Sequence, residues 1–505
     1  MLQIENLTIT HQTDLQDLIK DLNLVVNPGQ KLAIIGEEGT GKSSLIKSFV
    51  NPNLLERYAH LEGKITNQFH LIGYLPQHLE KKQLKMSVTD FLYKDLNYDR
   101  FNFNLFYRYA EHFGLDLDRF EHQNQNIASL SGGEKLKVQL IKLLATDPDL
   151  LILDEPSSDL DLDTIQWLET FIKKTEKTVL FISHDENLLA QAATSILHLE
   201  LLKKRNTPRA TFFQGSYENY KLERQTRFER QLQLANKERE EHAKKMDKHN
   251  RIHQSVEHTL RNTHDSTAGR LLAKRMKVVL GQEKRLVKER ENFTEIPQDM
   301  DAIHLFFSTI QTLPAGKVIL NLEDKTLDTG QIIHLQIRGQ DKLVITGKNG
   351  IGKSRLLREI LEILRSRESL SVGYMPQEYE EEFDPKDTAL SFLTQRASEE
   401  KARSLLASLQ FTRQEVQHNV QNLSGGQKAK LFLARMVLES NNVLILDEPT
   451  RHFSPTSQPL IRQLVVDYPG TIISVSHDRH FINEVCTKIY QLDSQHLSLL
   501  EDKAK

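Results

Sequence analysis

Two glycine-rich segments of the sequence combine residue types that can bind phosphate. Residues 36–43 and residues 347–354 both follow the pattern G-x-x-x-x-G-K-[ST]. In such a loop the glycines let backbone N–H groups turn toward phosphate oxygens, while the lysine adds positive charge and the serine hydroxyl can hold Mg²⁺. One such loop could be a chance match, but two with suitable flanks are not. The predicted binding residues are Gly36, Gly39, Gly41, Lys42, Ser43, Ser44, Gly347, Gly350, Gly352, Lys353 and Ser354.

Two Asp-Glu pairs, each followed by a histidine, could supply the chemistry of phosphoryl transfer to water. That reaction needs neutralised phosphate charge, a bound metal and an oriented nucleophile. The aspartate is predicted to support Mg²⁺, the glutamate to accept a proton from water, and the histidine to reach the γ-phosphate. A lone histidine is more often structural, but the same 30-residue interval from aspartate to histidine occurs in both halves. The predicted residues are Asp154, Glu155, His184, Asp447, Glu448 and His477.

Further segments recur in the same order, which marks a duplicated domain. A G-Y-x-P-Q segment ends at Gln77 and again at Gln377, and an L-S-G-G segment precedes each Asp-Glu pair. The serine of L-S-G-G lies 23 residues before the aspartate in both copies, whereas the interval from loop lysine to glutamine is 35 residues in the first copy and 24 in the second. The first copy is therefore predicted to carry a surface insertion there. The recurring L-S-G-G residues are Ser131, Gly132, Gly133, Ser424, Gly425 and Gly426.

These residues require a sheet that places them at one edge. Short apolar runs precede each phosphate loop, each Asp-Glu pair and each histidine, and they are predicted to form buried strands. A helix is predicted after each loop serine. The carboxyl ends of parallel strands share one edge, so an α/β fold would bring the motifs together. The predicted strands cover residues 32–35, 150–153, 179–182, 343–345, 443–446 and 472–475.

The motif set resembles the ATP-binding cassette superfamily, with its phosphate loop, Q-loop, signature, Walker B segment and switch histidine in order and in duplicate. The resemblance implies two α/β P-loop cassettes meeting head to tail, with ATP and Mg²⁺ held between the loop of one and the signature of the other. The first site would combine Lys42, Ser43, Gln77, Asp154, Glu155 and His184 with Ser424, Gly425 and Gly426. The second would combine Lys353, Ser354, Gln377, Asp447, Glu448 and His477 with Ser131, Gly132 and Gly133. The implied Mg²⁺-binding residues are Ser43, Gln77, Asp154, Ser354, Gln377 and Asp447.

The two copies depart from the superfamily pattern in different places. Only His11 is a candidate to stack on adenine in the first copy, and the second has no clear aromatic candidate. The D-loop aspartate, Asp161, is replaced by Ser454 in the second copy, and Arg355 takes the place of a small hydroxyl residue after the second loop. Both copies keep their glutamate. Two competent sites with unequal turnover are therefore expected.

The segment between the copies is basic and helical in composition. Residues 221–290 contain no proline, and they hold 19 Lys and Arg against 10 Asp and Glu. The net charge of this segment is thus +9. The whole chain has a net charge of −3, so the remainder carries −12. A helical hairpin is predicted, launched at residues 215–220, with its tip at residues 262–267 and helices of roughly 34 residues that reach about 50 Å. A stripe on the returning helix would pack on the outgoing one: Leu272, Met276, Val279 and Leu286.

The charge of this hairpin has two interpretations. A solvated spacer is the simpler one, but a basic excess this segregated, concentrated around Lys274, Arg275 and Lys277, favours a phosphate-rich partner. Few aromatic residues occur in the segment, which argues against stacking on single-stranded bases. Domain boundaries are predicted at 1–216, 217–292 and 293–505.

Tandem cassettes joined by a charged hairpin that begins with Gly-Ser-Tyr resemble the ABC-F family of translation factors and ribosomal protection proteins. The resemblance implies a cytoplasmic monomer that enters the ribosomal exit site with ATP bound, its arm reaching toward the peptidyl-tRNA and the peptidyl transferase centre. Translation and antibiotic resistance remain alternatives. The single cysteine, Cys486, cannot form an internal disulfide and fits a reducing compartment.

Two other classes compete with this interpretation. A transporter ATPase subunit would lack the hairpin, and no apolar run approaches the roughly 20 residues that a membrane helix needs. A DNA-repair ATPase of related architecture would be expected to carry a basic coiled coil after the second cassette, whereas this sequence ends 28 residues after His477.

Overall fold

A computed structural model of the protein describes residues 1–12, 15–94, 96, 100–123, 125–158, 160–202, 207–262, 266–290, 293–294, 310–328, 330–379 and 382–502. The chain divides into two compact units. One combines Met1–Tyr217 with Met300–Lys505, and the other is Glu218–Asp299. The two motif-bearing halves therefore share one unit. The boundaries at 1–216, 217–292 and 293–505 stay predictions.

The first half is built on a six-stranded sheet in the order β5-β6-β7-β3-β8-β9, flanked by an antiparallel sheet in the order β2-β1-β4. Its core strands pair in parallel and are buried along their whole length, which explains their continuous apolar sequences. The strands are β1 (Leu2–His11), β2 (Asp17–Val26), β3 (Lys31–Gly36), β4 (Ala59–Asn67), β5 (Ile72–Leu75), β6 (Leu150–Asp154), β7 (Thr178–Ile182), β8 (Ser195–Leu201) and β9 (Thr207–Gln214).

The helices of the first half connect these strands. α1 follows the phosphate loop directly, as predicted, and α6 begins at the L-S-G-G segment. The helices are α1 (Lys42–Val50), α2 (Lys81–Leu84), α3 (Val88–Tyr93), α4 (Phe103–His112), α5 (Leu117–Gln123), α6 (Gly132–Leu144), α7 (Leu162–Lys174) and α8 (Glu186–Ala192), with 3₁₀ turns at Pro52–Leu54 and Ile127–Ser129.

The second unit is a pair of helices, α9 (Tyr217–Arg261) and α10 (Ser266–Glu289). Two histidines of α9 bond carbonyl oxygens of α10: His242 Nε2 lies 2.9 Å from Leu286 O, and His249 Nε2 lies 2.9 Å from Val279 O. The helical hairpin is thus confirmed. Of the predicted stripe, Val279 is buried and Leu272, Met276 and Leu286 are partly buried.

The predicted length of roughly 34 residues is wrong for the outgoing helix, which has 45 residues and spans about 68 Å. The reason is that α9 starts at Tyr217, immediately after the Gly-Ser that follows β9, and meets neither glycine nor proline before Asn262. Within the predicted tip, residues 263–265 lie outside the described part of the chain.

The second half repeats the large sheet in the order β13-β14-β15-β12-β16-β17. Among the described residues, its smaller sheet consists of β10 and β11, whereas in the first half the predicted insertion adds β4 as a third strand. The strands are β10 (Val318–Thr326), β11 (Ile332–Arg338), β12 (Lys342–Thr346), β13 (Val372–Met375), β14 (Val443–Asp447), β15 (Thr471–Val475), β16 (Lys488–Leu492) and β17 (Leu497–Asp502).

The helices of the second half occupy the corresponding places, with 3₁₀ turns at Glu415–Gln417 and Val420–Asn422. Among the described residues of the whole chain, no helix is long and apolar enough to cross a membrane. The helices are α11 (Lys353–Arg365), α12 (Ala389–Thr394), α13 (Glu399–Ser408), α14 (Gly425–Glu439), α15 (Gln458–Val466) and α16 (Arg479–Val485).

Candidate nucleotide sites

The two phosphate loops have the same local geometry. Lys42 Nζ donates to the carbonyls of Gly36 (2.8 Å) and Glu37 (2.9 Å), and Lys353 Nζ makes the same two bonds within its own loop, to Gly347 and Lys348. The glycine that precedes each helix has a φ of 90° at position 41 and 107° at position 352. These left-handed conformations favour glycine, so the motif spacing follows from the backbone path. Each loop therefore curls around its lysine at the start of a helix.

In the first half, the sheet edge brings the predicted chemical groups together. Ser43 Oγ lies 3.4 Å from Asp154 Oδ1, and Gln77 Nε2 donates to Glu155 Oε2 over 2.8 Å. His184 Nε2 lies 3.4 Å from Glu155 Oε1. Burial opposes the charge on Glu155, but the hydrogen bond and charge of His184, together with Lys42, lower its pKa to about 2. Burial and the neighbouring Glu155 raise the pKa of Asp154 to about 6.

In the second half, the equivalent groups are more deeply enclosed. The His477 N–H donates to Glu448 Oε2 (3.2 Å), and His477 Nε2 lies 3.7 Å from Glu448 Oε1. Burial and the adjacent Asp447 raise the pKa of Glu448 to about 8. Burial and Lys353 lower the pKa of His477 to about 4. Gln377 follows β13 at a partly buried position.

Both glutamates have a strained backbone. Glu155 has a φ of 49° and Glu448 a φ of 53°, in the left-handed region that side-chain-bearing residues seldom adopt. Each N–H donates to the carbonyl of the neighbouring strand, to Ile182 O (3.2 Å) and to Val475 O (2.9 Å). Such strain persists where surrounding structure fixes it and is concentrated at functional sites. The matched strain supports a common role for these residues.

Contacts across the two halves place each loop opposite the other half. His184 Nδ1 lies 3.1 Å from Phe453 O, and the Gly426 N–H donates to Glu38 Oε2 over 3.4 Å. On the other side, the Asp161 carboxylate accepts a bond from the backbone of Asn349. The D-loop and signature of the second half thus meet the first site, and the D-loop of the first half meets the second loop.

Each signature serine caps the helix that it begins. Ser131 Oγ accepts the N–H of Glu134 (3.2 Å) at the start of α6, and Ser424 Oγ accepts the N–H of Gln427 (3.3 Å) at the start of α14. Gly132 and Gly133 open α6, and Gly425 and Gly426 open α14. The second signature reaches Glu38 of the first loop. The second loop is reached by Asp161 rather than by a described bond from the first signature.

Two ion pairs across the halves were not predicted. Arg462 Nη1 lies 2.8 Å from Glu186 Oε1, with both side chains almost fully buried, and Arg479 pairs with Glu169. Glu169 and Arg462 both lie 15 residues after the Walker B aspartate, and Glu186 and Arg479 both lie 32 residues after it. The first half therefore presents glutamate, and the second arginine, at both equivalent positions. Only a comparison of the two copies at matched offsets could have revealed this pattern.

The residues at which the two copies depart from the superfamily pattern make specific contacts in the structure. Ser454 is buried, and its hydroxyl lies 2.9 Å from Ser457 Oγ, whereas Asp161 caps α7 by accepting the Thr164 N–H at 3.0 Å. Arg355 Nη2 donates to Asp328 Oδ2 (2.8 Å) at a half-exposed position beside its own loop.

Two tyrosines beside the first site are not among the predicted site residues. Ser44 Oγ lies 3.4 Å from the Tyr58 hydroxyl. Burial and the neighbouring Asp154, which shares a hydrogen bond with Tyr74, raise the pKa of Tyr74. The recurrence of Tyr74 as Tyr374 in the G-Y-x-P-Q segments was the available signal.

The oxygen donors beside each loop fit Mg²⁺. Asp447 Oδ1 is buried and has no hydrogen-bond partner among the described residues, while the other side of this carboxyl group interacts with Ser354. Serine and carboxylate oxygens are ligands that Mg²⁺ uses together with water and substrate phosphates. Among the described residues, no cluster of three His, Cys, Asp or Glu side chains is placed to hold a metal ion.

The fold and these sites define a protein with two nucleotide-binding ATPase domains. A family model described as ABC transporter matches residues 19–158 and 331–451, more than half of the chain. The chain belongs to the ATP-binding cassette family and is an ATP hydrolase of the ABC-F type.

Relatives match over nearly the whole chain. The ATP-binding protein YdiF of Bacillus subtilis (strain 168) is 28% identical over 553 residues, covering 98% of this chain and 80% of that protein. ABC transporter F family member 5 of Arabidopsis thaliana is 27% identical over 543 residues, covering 96% and 74%. The fold also resembles archaeal ribosome recycling factor aABCE1, solved with the ribosomal stalk protein aP1, at a TM-score of 0.59 and 17% identity over 98% of this chain and 90% of that one.

Proposed function

We propose that the protein binds the ribosome in its ATP-bound closed state, acts at the tRNA exit site and peptidyl transferase region through the helical hairpin, and leaves after hydrolysis. It would do so in the cytoplasm as a monomer whose own two cassettes pair. The observation that carries this proposal is the charge of the hairpin: residues 221–290 have a net charge of +9, whereas the rest of the chain has a net charge of −12.

The charge is arranged to meet a partner rather than to stabilise the hairpin. On α9, several cations pair with acids one turn away, including Arg227 with Glu223 and Lys244 with Glu240. Residues 268–282 contain no acidic residue, and Lys274, Arg275 and Lys277 are solvent-exposed on α10. An exposed basic surface attracts the phosphates of RNA, and contact releases counterions. Ribosomal RNA and tRNA have this chemistry.

Each nucleotide site contains groups suited to hydrolysis. Lys42 and Lys353 would neutralise phosphate charge, and Glu155 and Glu448 would orient water and accept its proton. Ser43 with Asp154, and Ser354 with Asp447, would hold Mg²⁺ with help from Gln77 and Gln377; when bound, the ion supplies further neutralisation of phosphate charge. In the closed state, His184 and His477 would contact the γ-phosphate. Loss of that phosphate would then weaken the contact between the halves.

Solved proteins of similar fold support the choice of partner. The complex of aABCE1 with a ribosomal stalk protein and a model of ribosome-bound archaeal Pelota and ABCE1 both describe proteins that act on ribosomes. The hairpin remains the feature of this chain on which the proposal can be tested.

The test reverses charge at one end of α10 and compares it with the other end. Lys274, Arg275 and Lys277 become glutamate in one variant, and Lys284, Arg285 and Lys288 in a matched control with the same charge change about 15 Å along the helix. Both variants are made with Glu155→Gln and Glu448→Gln to retain ATP. Association with purified ribosomes is measured by sedimentation between about 50 and 200 mM salt, a range over which phosphate contacts weaken strongly.

The first variant should bind at least tenfold more weakly than the control, and its affinity should depend less steeply on salt, since each lost phosphate contact lowers that slope by about one. Equal binding by the two variants would assign the contact to net charge alone. Binding by both at the parent level would make the hairpin a spacer. Growth of a deletion strain with and without ribosome-targeting antibiotics would then distinguish translation from resistance.

A further inference from the structure

The first phosphate loop carries an acidic residue that points across the cassette interface. Two of its four variable positions are Glu37 and Glu38, whereas the second loop has Lys348 and Asn349 at the same places. The Gly426 N–H of the second signature donates to Glu38 Oε2 (3.4 Å), and His452 Nδ1 lies 3.8 Å from Glu38 Oε1. Glu38 therefore accepts a bond from the signature, as a terminal phosphate would.

The surroundings of Glu38 are those of a bound anion. A β-carbon built on Gly425 would lie 3.0 Å from Glu38 Oε1, so the carboxylate is held close to the signature backbone. Burial opposes the charge of Glu38, but His452, His184 and Lys42 outweigh it and lower its pKa below the usual value. Two of these groups also belong to the proposed function, in which Lys42 neutralises phosphate charge and His184 contacts the γ-phosphate.

The described residues of the second site do not form this arrangement. Asn349, which replaces Glu38 there, is neutral, and its side-chain oxygen lies 3.5 Å from Lys353 Nζ. The first-half position equivalent to His452 is Asp159, an acid rather than a partner for an anion. The acidic loop residue and its histidine partner thus occur together across one site and are both replaced at the other.

We propose that the Glu38 carboxylate takes the place of the γ-phosphate at the first site, so that this site favours a nucleoside diphosphate over a triphosphate. Bound ADP and Glu38 together present the charge that ATP presents alone at the second site. Binding ATP requires Glu38 to move away, because two anions a few ångströms apart repel strongly in a partly buried site. The inference rests on the proposed γ-phosphate contacts but needs no ribosome.

The experiment measures the two nucleotides at the first site alone. The full chain carries Lys353→Ala to disable the second loop, and calorimetry gives the affinities for ADP and for a non-hydrolysable ATP analogue. Glu38→Gln removes the charge and keeps the shape. Glu37→Gln is the matched control, because Glu37 lies on the same loop but its carboxylate faces Lys430 at 3.9 Å.

Parent protein should bind ADP at least as tightly as the analogue. Glu38→Gln should shift the affinity ratio toward the analogue by about tenfold or more, and Glu37→Gln by less than about twofold. An unchanged ratio in Glu38→Gln, an equal shift in Glu37→Gln, or no nucleotide binding by any of these proteins would overturn the inference. This experiment contains no ribosomes, so a negative result would not affect the interpretation of the ribosome-binding experiment.

Discussion

The two nucleotide sites share the loop lysine and serine, the Q-loop glutamine, the Walker B Asp-Glu pair and the histidine, but they differ in what faces them across the interface. At the first site the opposing half contributes the Gly426 N–H and His452, which hold Glu38. At the second site the opposing half contributes the Asp161 carboxylate to Asn349. The differences arise at positions that the motif patterns leave variable. The fixed residues therefore define a nucleotide site, while the variable ones set its charge.

The largest effect is expected from replacing the glutamate that both nucleotide sites share. Glu155→Gln with Glu448→Gln removes the proposed proton acceptor of both sites, so steady-state phosphate release should fall about 10²- to 10⁴-fold while ATP binding persists. Glu400→Gln, an exposed substitution on α13, is the control and should hydrolyse ATP normally. Hydrolysis by the double variant near the parent rate would show that these glutamates are not the acceptors.

The ion pairs between the halves offer a second way to break the comparison. Arg462→Met leaves Glu186 buried without this cation and should lower the free energy of unfolding by about 3–5 kcal/mol in urea titrations. Arg479→Met should cost less, because Arg479 is 27% exposed. Exchanging the pair as Glu186→Arg with Arg462→Glu should recover part of the loss. If Arg462→Met and Arg479→Met both had equally small effects, the buried pair of Arg462 with Glu186 would not stabilise the contact between the two halves.

Single glutamate variants sharpen the comparison of the sites. Glu155→Gln and Glu448→Gln alone should leave residual hydrolysis rates that differ about fivefold, equivalent to about 1 kcal/mol. In the Glu448→Gln protein, adding Ser454→Asp should change the remaining rate, because the second D-loop meets the first site beside His184. Single-turnover phosphate release gives both rates. Identical rates in the two single variants would count against unequal sites.

The smallest effect is expected at Arg355. Its guanidinium pairs with Asp328 where both side chains are more than half exposed, and such surface pairs contribute little. Arg355→Thr should change the unfolding free energy by no more than about 0.5 kcal/mol and ATP turnover by less than about twofold. A tenfold loss of turnover with unchanged folding would instead place Arg355 in the mechanism of the second site.

Much of the architecture follows from the sequence because it depends on local rules. Buried parallel strands need continuous apolar runs, and a phosphate loop needs glycine where φ is positive, so the core strands and both loops were predictable. The predicted length of α9 was too short. The composition favours helix throughout the hairpin, and no glycine or proline marks where the first helix ends and the second begins. The insertion was located, but its strand β4 was not predicted.

The contacts between the two halves could not be predicted from local sequence patterns. The pairing of Glu186 with Arg462 and the approach of Glu38 to Gly426 join residues separated by more than 270 positions, and of these four residues only Gly426 is fixed by a motif. Their partners depend on how the cassettes meet. Matched offsets in a duplicated chain narrow that choice. When two positions are acidic in one copy and basic in the other, the first position of each copy can pair with the second position of the other across a pseudo-twofold interface.

In the proposed function, ATP held between the cassettes commits the protein to the ribosome. The direct test is sedimentation of the Glu155→Gln and Glu448→Gln double variant with purified ribosomes in the presence of ATP, ADP or no nucleotide. We expect stoichiometric co-sedimentation with ATP and at least tenfold weaker association in the other two conditions, because without ATP the second site has no γ-phosphate to stabilise the closed state. Equal association in all three conditions, or none with ATP, would contradict it.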